Sequence, residues 1–204
     1  MTYPLKALLF FPFTFAFAGI FSQSDSTKKI IVTILHGSKP KRHVNEVQFL
    51  GRMYGGHVVI QIDSFDYGFN FTGNRVHPYP YKRHPKGIYE RDPVSLINSN
   101  WSACKVTRIE IPLNKSEFEE LKNEYENFYL NSPHDYAFFG MRCAASARWM
   151  LGKCGVMKKC NRRKSIVRAF HPKALRKKLV RIARKKGYTI IVQKGRDTRK
   201  WEGD

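Results

Sequence analysis

The chain predicts an α+β fold, an antiparallel sheet packed against helices, from three observations. Lys29–Leu35 (KIIVTIL), Gly55–Asp63 (GGHVVIQID) and Lys105–Leu113 (KVTRIEIPL) are β-branched or alternating runs of strand length. Two other stretches repeat their apolar residues at helical spacing, Phe118, Leu121, Tyr125 and Phe128 in one and Leu175, Leu179 and Ile182 in the other. With 204 residues, of which 42% are hydrophobic and 14% aromatic, the chain is long enough to bury one full core.

The elements follow in order. Lys6 precedes an almost wholly apolar run, Ala7–Phe21, and Ser22–Thr27 turns small and polar, the shape of a secretory signal. Residues 1–23 are therefore expected to be a signal peptide, and 24–204 a single exported domain (periplasmic, cell-surface or secreted). The run is too short for a comfortable membrane span, so the mature chain is expected to have none. His36–Pro40 reads as a turn, and Arg42–Tyr54 as a short helix or loop. In the strand Gly55–Asp63, alternation puts His57, Val59, Gln61 and Asp63 on one face and Val58, Ile60 and Ile62 on the other. Ser64–Tyr67 reads as a hairpin turn into Gly68–Phe71. Thr72–Asn100, rich in Pro, Gly, His, Tyr and Arg, has no period and reads as a long surface loop.

Ser116 with Glu119 forms a capping box ahead of the Phe118–Phe128 stripe, and Asn131–His134 ends that helix. In Tyr136–Gly152 (YAFFGMRCAASARWMLG), Phe138, Phe139 and Gly140 bring the chain to a turn. Good helix formers then run from Cys143, with Gly152 as the stop. Pro172 suits the first turn of the Leu175–Ile182 helix, with Gly187 as its C-cap; Tyr188–Gln193 reads as a strand, followed by a polar tail through Trp201.

The 37 Lys and Arg residues outnumber 16 Asp and Glu, a formal charge of +21. The excess is concentrated: Lys153–Lys200 holds 19 basic residues and one acid, Asp197. They decorate an amphipathic helix, and such a face either stays solvated or holds an anionic surface polymer. Nucleic acid is disfavoured as a partner by export and by the lack of any zinc-finger, helix-turn-helix or RNA-binding pattern. Cys104, Cys143, Cys154 and Cys160 are even in number, and export permits two disulfides; Cys154 with Cys160, or Cys104 with Cys143, are pairings the sequence allows. With no CxxC pair and no regular Cys/His spacing, no metal and no cofactor is expected.

The chemistry centres on Cys143. A thiol on the first turn of a helix lies near unpaired N–H groups and the positive end of the helix dipole, which favour the thiolate nucleophile. The competing reading is a small buried packing residue, or half of a disulfide. A thiol nucleophile needs a base. Of seven histidines, His57 alone starts a strand, behind two glycines that permit close approach; His36, His43, His77, His84, His134 and His171 fall in loops or at a helix start and read as solvated.

GGHVVIQID followed by DYAFFGMRCAASARWML resembles the circularly permuted branch of the papain-like NlpC-type cysteine hydrolases, and most nearly their uncharacterised exported bacterial members. The resemblance covers Lys29 to Gly155. It implies a permuted papain-like fold with Cys143 as nucleophile and His57 as general base. The Cys143 N–H and the Tyr136 hydroxyl would hold the oxyanion. For the third polar residue it implies Asn70, then Asp66 or Asp63. The activity implied is that of a thiol hydrolase or acyltransferase, working on an amide or ester of a peptide, lipid or cell-wall substrate through an acyl-cysteine. The sequence departs from the pattern at Met141-Arg142, where Asn is more usual before the cysteine. The alternative is a non-catalytic exported module that binds anionic polymers through its basic C-terminal face.

Overall fold

A computed structural model describes residues 27–45, 53, 55–73, 76–81 and 87–203. The signal-peptide reading of residues 1–23, and most of the helix-or-loop reading of 42–54, lie outside them.

The fold is α+β. Six strands form one antiparallel sheet: β1 (Lys28–His36), β3 (Gly56–Ile62), β4 (Phe65–Phe71), β5 (Gly87–Pro93), β6 (Val106–Leu113) and β7 (Ile190–Gln193), in the order β5-β4-β3-β1-β6-β7. A separate ribbon pairs β2 (Ser38–Pro40) with β8 (Arg199–Trp201). The helices are α1 (Val94–Asn100), α2 (Lys115–Leu130), α3 (Cys143–Lys153), α4 (Arg162–Arg168) and α5 (Pro172–Lys186).

Alternation along the strands divides the interior in two. Ile30, Val32 and Ile34 of β1, Val58, Ile60 and Ile62 of β3, and Ile109, Ile111 and Leu113 of β6 point to one face. There they meet Phe118, Leu121, Tyr125 and Phe128 of α2, the alanines and Leu151 of α3, and Leu175, Leu179 and Ala183 of α5. The intervening Leu35, Val59 and Val106 point to the other face and pack with Ile97, Trp101, Cys104 and Trp201. The result is a broad helical layer on one side and a thin cover of α1 and the C-terminal segment on the other.

Several local expectations shift. The capping box belongs to Asn114 and Glu117, not Ser116 and Glu119: the Asn114 side chain accepts from the Glu117 N–H at 2.8 Å, and Glu117 accepts from the Asn114 N–H at 3.1 Å. The β3–β4 hairpin turns on Asp63-Ser64 alone, Asp63 taking a left-handed φ of 54°, so Phe65 already belongs to β4. The expected loop Thr72–Asn100 contains β5 and α1. Ile88 and Tyr89 pair across with Asn70 and Phe69, and neighbouring strands impose a regularity that the local sequence hides. Gly152 lies within α3, whose C-cap is Cys154. The short helix α4, capped by Asn161 through the Lys164 N–H at 3.0 Å, was not foreseen.

The chain end is held as structure rather than as a polar tail. Trp201 is buried, and Glu202 pairs with Arg176 of α5 and, at 3.5 Å, with Lys173. His36–Pro40, read as a turn, supplies strand β2 as the partner of this segment. Arg162, Arg163, Lys164 and Arg168 of α4 and Lys177, Arg181, Arg184, Lys185 and Lys186 of α5 are exposed, so the basic excess does coat helices. Among the described residues no helix is long and apolar enough to cross a membrane.

Candidate active site

Cys143 is the first residue of α3. Its N-cap, Arg142, is extended (φ −143°, ψ 170°) and lends no side-chain cap, and the helix ladder begins with the Ser146 N–H on the Arg142 carbonyl at 2.8 Å. The first-turn N–H groups of α3 are therefore not taken by a capping side chain. Tyr136 directs its hydroxyl to the sulfur at 3.9 Å. The N–H groups of Val58 and Ala144 also act on the sulfur in the sense that favours thiolate, as does the Arg142 charge. Burial outweighs all four and raises the thiol above its ordinary 9.0, so at neutral pH Cys143 rests as S–H. Each of the four cysteines is free. Cys143 and Cys104 belong to the clusters on opposite faces of the sheet, which removes that pairing as an obstacle to a free thiol.

The thiol opens on a cavity of about 460 Å³. Cys143, His57, Asn70 and Tyr136 all contribute to its wall, with apolar surface from Phe71, Val76, Phe138 and Phe170. Tyr136 is held by its ring against Phe69 and Phe71 at 5.3 and 5.5 Å between centroids. Burial raises its hydroxyl pKa well above 10, so it serves as a donor.

Sharing a wall is not the same as meeting. His57 lies opposite Leu35 on β1, and both belong to the second face. Its ring stands edge-on to Trp101 at 6.1 Å, and its Nε2 lies 3.2 Å from where a Cβ on Gly68 would sit. Cys143 lies on the first face, beneath Val58. The expected Cys143–His57 hydrogen bond is not among those the described residues make, although both side chains border the cavity. Desolvation lowers His57 to about 4, so it is neutral at pH 7. Gly56, with φ 105°, fixes this entry: a Cβ there would lie 2.2 Å from the Leu35 carbonyl oxygen.

Of the expected orienting residues, Asn70 and Asp63 are engaged elsewhere. Asn70 donates to Glu90 at 2.9 Å. Asp63 is exposed and paired with Lys122 at 2.7 Å. Asp66 is buried, and desolvation raises it to about 6, with Asp92 adding to the rise and Arg108 opposing it.

The structure adds three residues that the sequence reading had placed at the surface or left open. His171, the N-cap of α5, borders the cavity on the same side of the sheet as Cys143; burial, then the Arg142 charge, lowers its pKa. Arg142 is only 7% exposed and lies 3.6 Å over the Phe170 ring. His77 is buried against Asp135, Nε2 to Oδ2 3.1 Å. This pair braces the wall: His77 and Pro78 carbonyls accept from the Phe138 and Phe139 N–H groups at 2.9 and 2.8 Å, beside Tyr136. His36 and His134 are buried as well, so four of the six histidines read as solvated leave the surface wholly or in part. A loop or cap position in sequence gave no sign of this, because their burial comes from segments distant in the chain.

No protein-family model, curated protein or solved structure matches this chain.

Proposed function

We propose that the protein is an exported thiol hydrolase or acyltransferase in which Cys143 attacks an amide or ester carbonyl. The observation that carries the reading is the placement of Cys143: first residue of an uncapped helix, with its sulfur among hydroxyl and N–H donors, at the wall of an apolar cavity. A cysteine-led helix packed on an antiparallel sheet also supports the papain-like resemblance.

In this reaction the Cys143 proton passes to His171, the neutral imidazole on the sulfur's side of the sheet, as the S–C bond forms. The carbonyl π pair moves onto oxygen, which the Cys143 N–H and the Tyr136 hydroxyl stabilise. Collapse of the adduct expels the alcohol or amine, which takes the proton from His171. Water or a second acceptor, deprotonated by His171, then releases the acyl group from sulfur. His57 and Asn70 form the far rim of the cavity and have no proton to move in this scheme.

The test is acylation by p-nitrophenyl octanoate at pH 8, followed by intact mass and peptide mapping. One octanoyl adduct on Cys143, absent in Cys143→Ala, is expected; acylation elsewhere, or none, would sink the reading.

One observation favours a second reading, the non-catalytic anion-binding module. Lys41, Lys105, Lys194, Arg199 and Lys200 border a separate open hollow of about 650 Å³ beside Trp201, with Asp197 as its acid. Affinity for polyanions that falls steeply with salt, and is unaffected by Cys143→Ala, would support this use of the basic surface.

A further inference from the structure

Arg142 is a buried cation without a counter-anion. Its side chain is more than nine-tenths buried, and its Nε and Nη2 are enclosed with no hydrogen-bond partner. Among the described residues no carboxylate lies within ion-pair distance of it. The guanidinium carbon lies over the ring of Phe170 at 3.6 Å and over that of Phe138 at 5.8 Å. Such cation–π contacts supply no hydrogen-bond acceptor for Nε and Nη2. A buried charge in that state is costly, and proteins ordinarily pair it. The nearby ionisable groups do not serve: the Cys143 thiol and the Tyr136 hydroxyl are both held protonated, and His171 is biased to its neutral form.

Arg142 lines the same cavity as Cys143 and is its neighbour in the chain. We propose that the missing anion belongs to the ligand: the cavity takes a carboxylate that pairs with the Arg142 guanidinium, with an apolar body against Phe71, Val76, Phe138 and Phe170. A planar guanidinium edge matches a carboxylate in a two-bond fork. One cation in a wall whose other polar groups are uncharged suits a monoanion, since a dianion would leave a net buried charge. The substrate class is thus an apolar acid, either a fatty acid derivative or an N-acyl amino acid. The inference rests on the reading of this cavity as the substrate site of Cys143.

Calorimetric titration of the full chain carrying Cys143→Ser, which cannot form the thioester, separates binding from reaction. Decanoate, N-decanoylglycine and the methyl ester of each are compared at pH 7. At least one acid is expected to bind tenfold or more tightly than its own ester, and the better acid shows whether an amide belongs to the ligand. Adding Arg142→Gln should erase the preference, whereas Arg168→Gln, on the exposed side of α4, should keep it. Equal binding of acids and esters overturns the proposal even if Arg142→Gln fails to fold, because that comparison uses the native arginine. A preference that survives Arg142→Gln overturns it too. The octanoyl-adduct experiment reports separately: acid-selective binding without an adduct removes the thiol chemistry and keeps the anion site, and an adduct without acid selectivity does the reverse.

Discussion

The two faces of the central sheet use their polar groups in opposite ways. On the helical face, Cys143, Tyr136, Arg142 and His171 come from three separate segments and converge on a cavity. On the other face, His57 and Asn70 also reach the cavity rim, but His57 is packed against Trp101 and Asn70 is bonded to Glu90. Yet His57 and Val58 are adjacent in the chain. The Val58 N–H acts on the thiol, while the His57 side chain, one step back along β3, turns to the face of Trp101. A motif that places a histidine at a strand start therefore carries half of the required information; the other half is the face that the cysteine-bearing helix covers.

The largest effects break or uphold that comparison directly. Cys143→Ala should abolish the acyl adduct, read by intact mass. His171→Gln should slow its formation by about 10²-fold or more, the usual range for loss of a general base. His57→Gln should change the rate by less than about threefold, since it touches no reacting atom. Stopped-flow release of p-nitrophenol measures all three. If His57→Gln is the slow variant and His171→Gln the fast one, the assignment to faces is wrong.

The next effect concerns stability and tests the burial of His57. Its pKa is about 4 in the folded chain against an ordinary 6.5. Between those values the unfolded chain binds the proton and the folded chain does not, so stability falls as pH drops from 6.5 towards 4. The shift corresponds to about 3 kcal/mol for His57. His134, also lowered to about 4 by desolvation, acts in the same sense. Urea midpoints at pH 7 and pH 4.5 should therefore differ substantially. His57→Leu, which keeps an apolar group under Trp101, should reduce the difference by the His57 share; an unchanged difference would mean that the ring is solvated.

Sequence pattern carried the elements whose information is local. The β1, β3 and β6 runs, the α2 stripe and the Pro172-to-Gly187 helix all rest on periodicity and caps, and the structure has them. It missed elements whose order comes from partners distant in sequence. β5 is made regular by β4, β8 by β2, and Trp201 is buried by Leu35, Val59 and Trp101. The candidate site divides in the same way. Cys143 and Tyr136, seven residues apart, were legible together because one turn and one helix start bring the hydroxyl to the sulfur. His171 and the buried state of Arg142 were not, because both depend on how α5 docks beside α3. The alternation that sets His57 and Val58 on opposite faces was visible; the face to which α3 packs was not.

Thiol reactivity is a milder test of the helical face. Since burial holds Cys143 above 9.0, the alkylation rate by iodoacetamide should rise about tenfold per pH unit from 7 to 9, with no plateau below 9. Peptide mapping separates Cys143 from the part-exposed Cys160. A plateau near neutral pH would show that the donors at the sulfur outweigh its burial, and would make the resting nucleophile a thiolate.

The smallest effect isolates the open start of α3 from helix stability in general. α2 begins with its N–H groups held by Asn114 and Glu117, whereas α3 begins with no such cap, on the cavity wall. Asn114→Ala should cost about 1 kcal/mol, the usual loss for an N-cap, seen as a lower urea midpoint. Because α2 adds no side chain to the cavity, the acylation rate at Cys143 should stay as it was. A fall in rate with that loss would mean that the cavity depends on the stability of the whole helical layer. An unchanged rate leaves the uncapped start of α3 as a local property of the Cys143 turn.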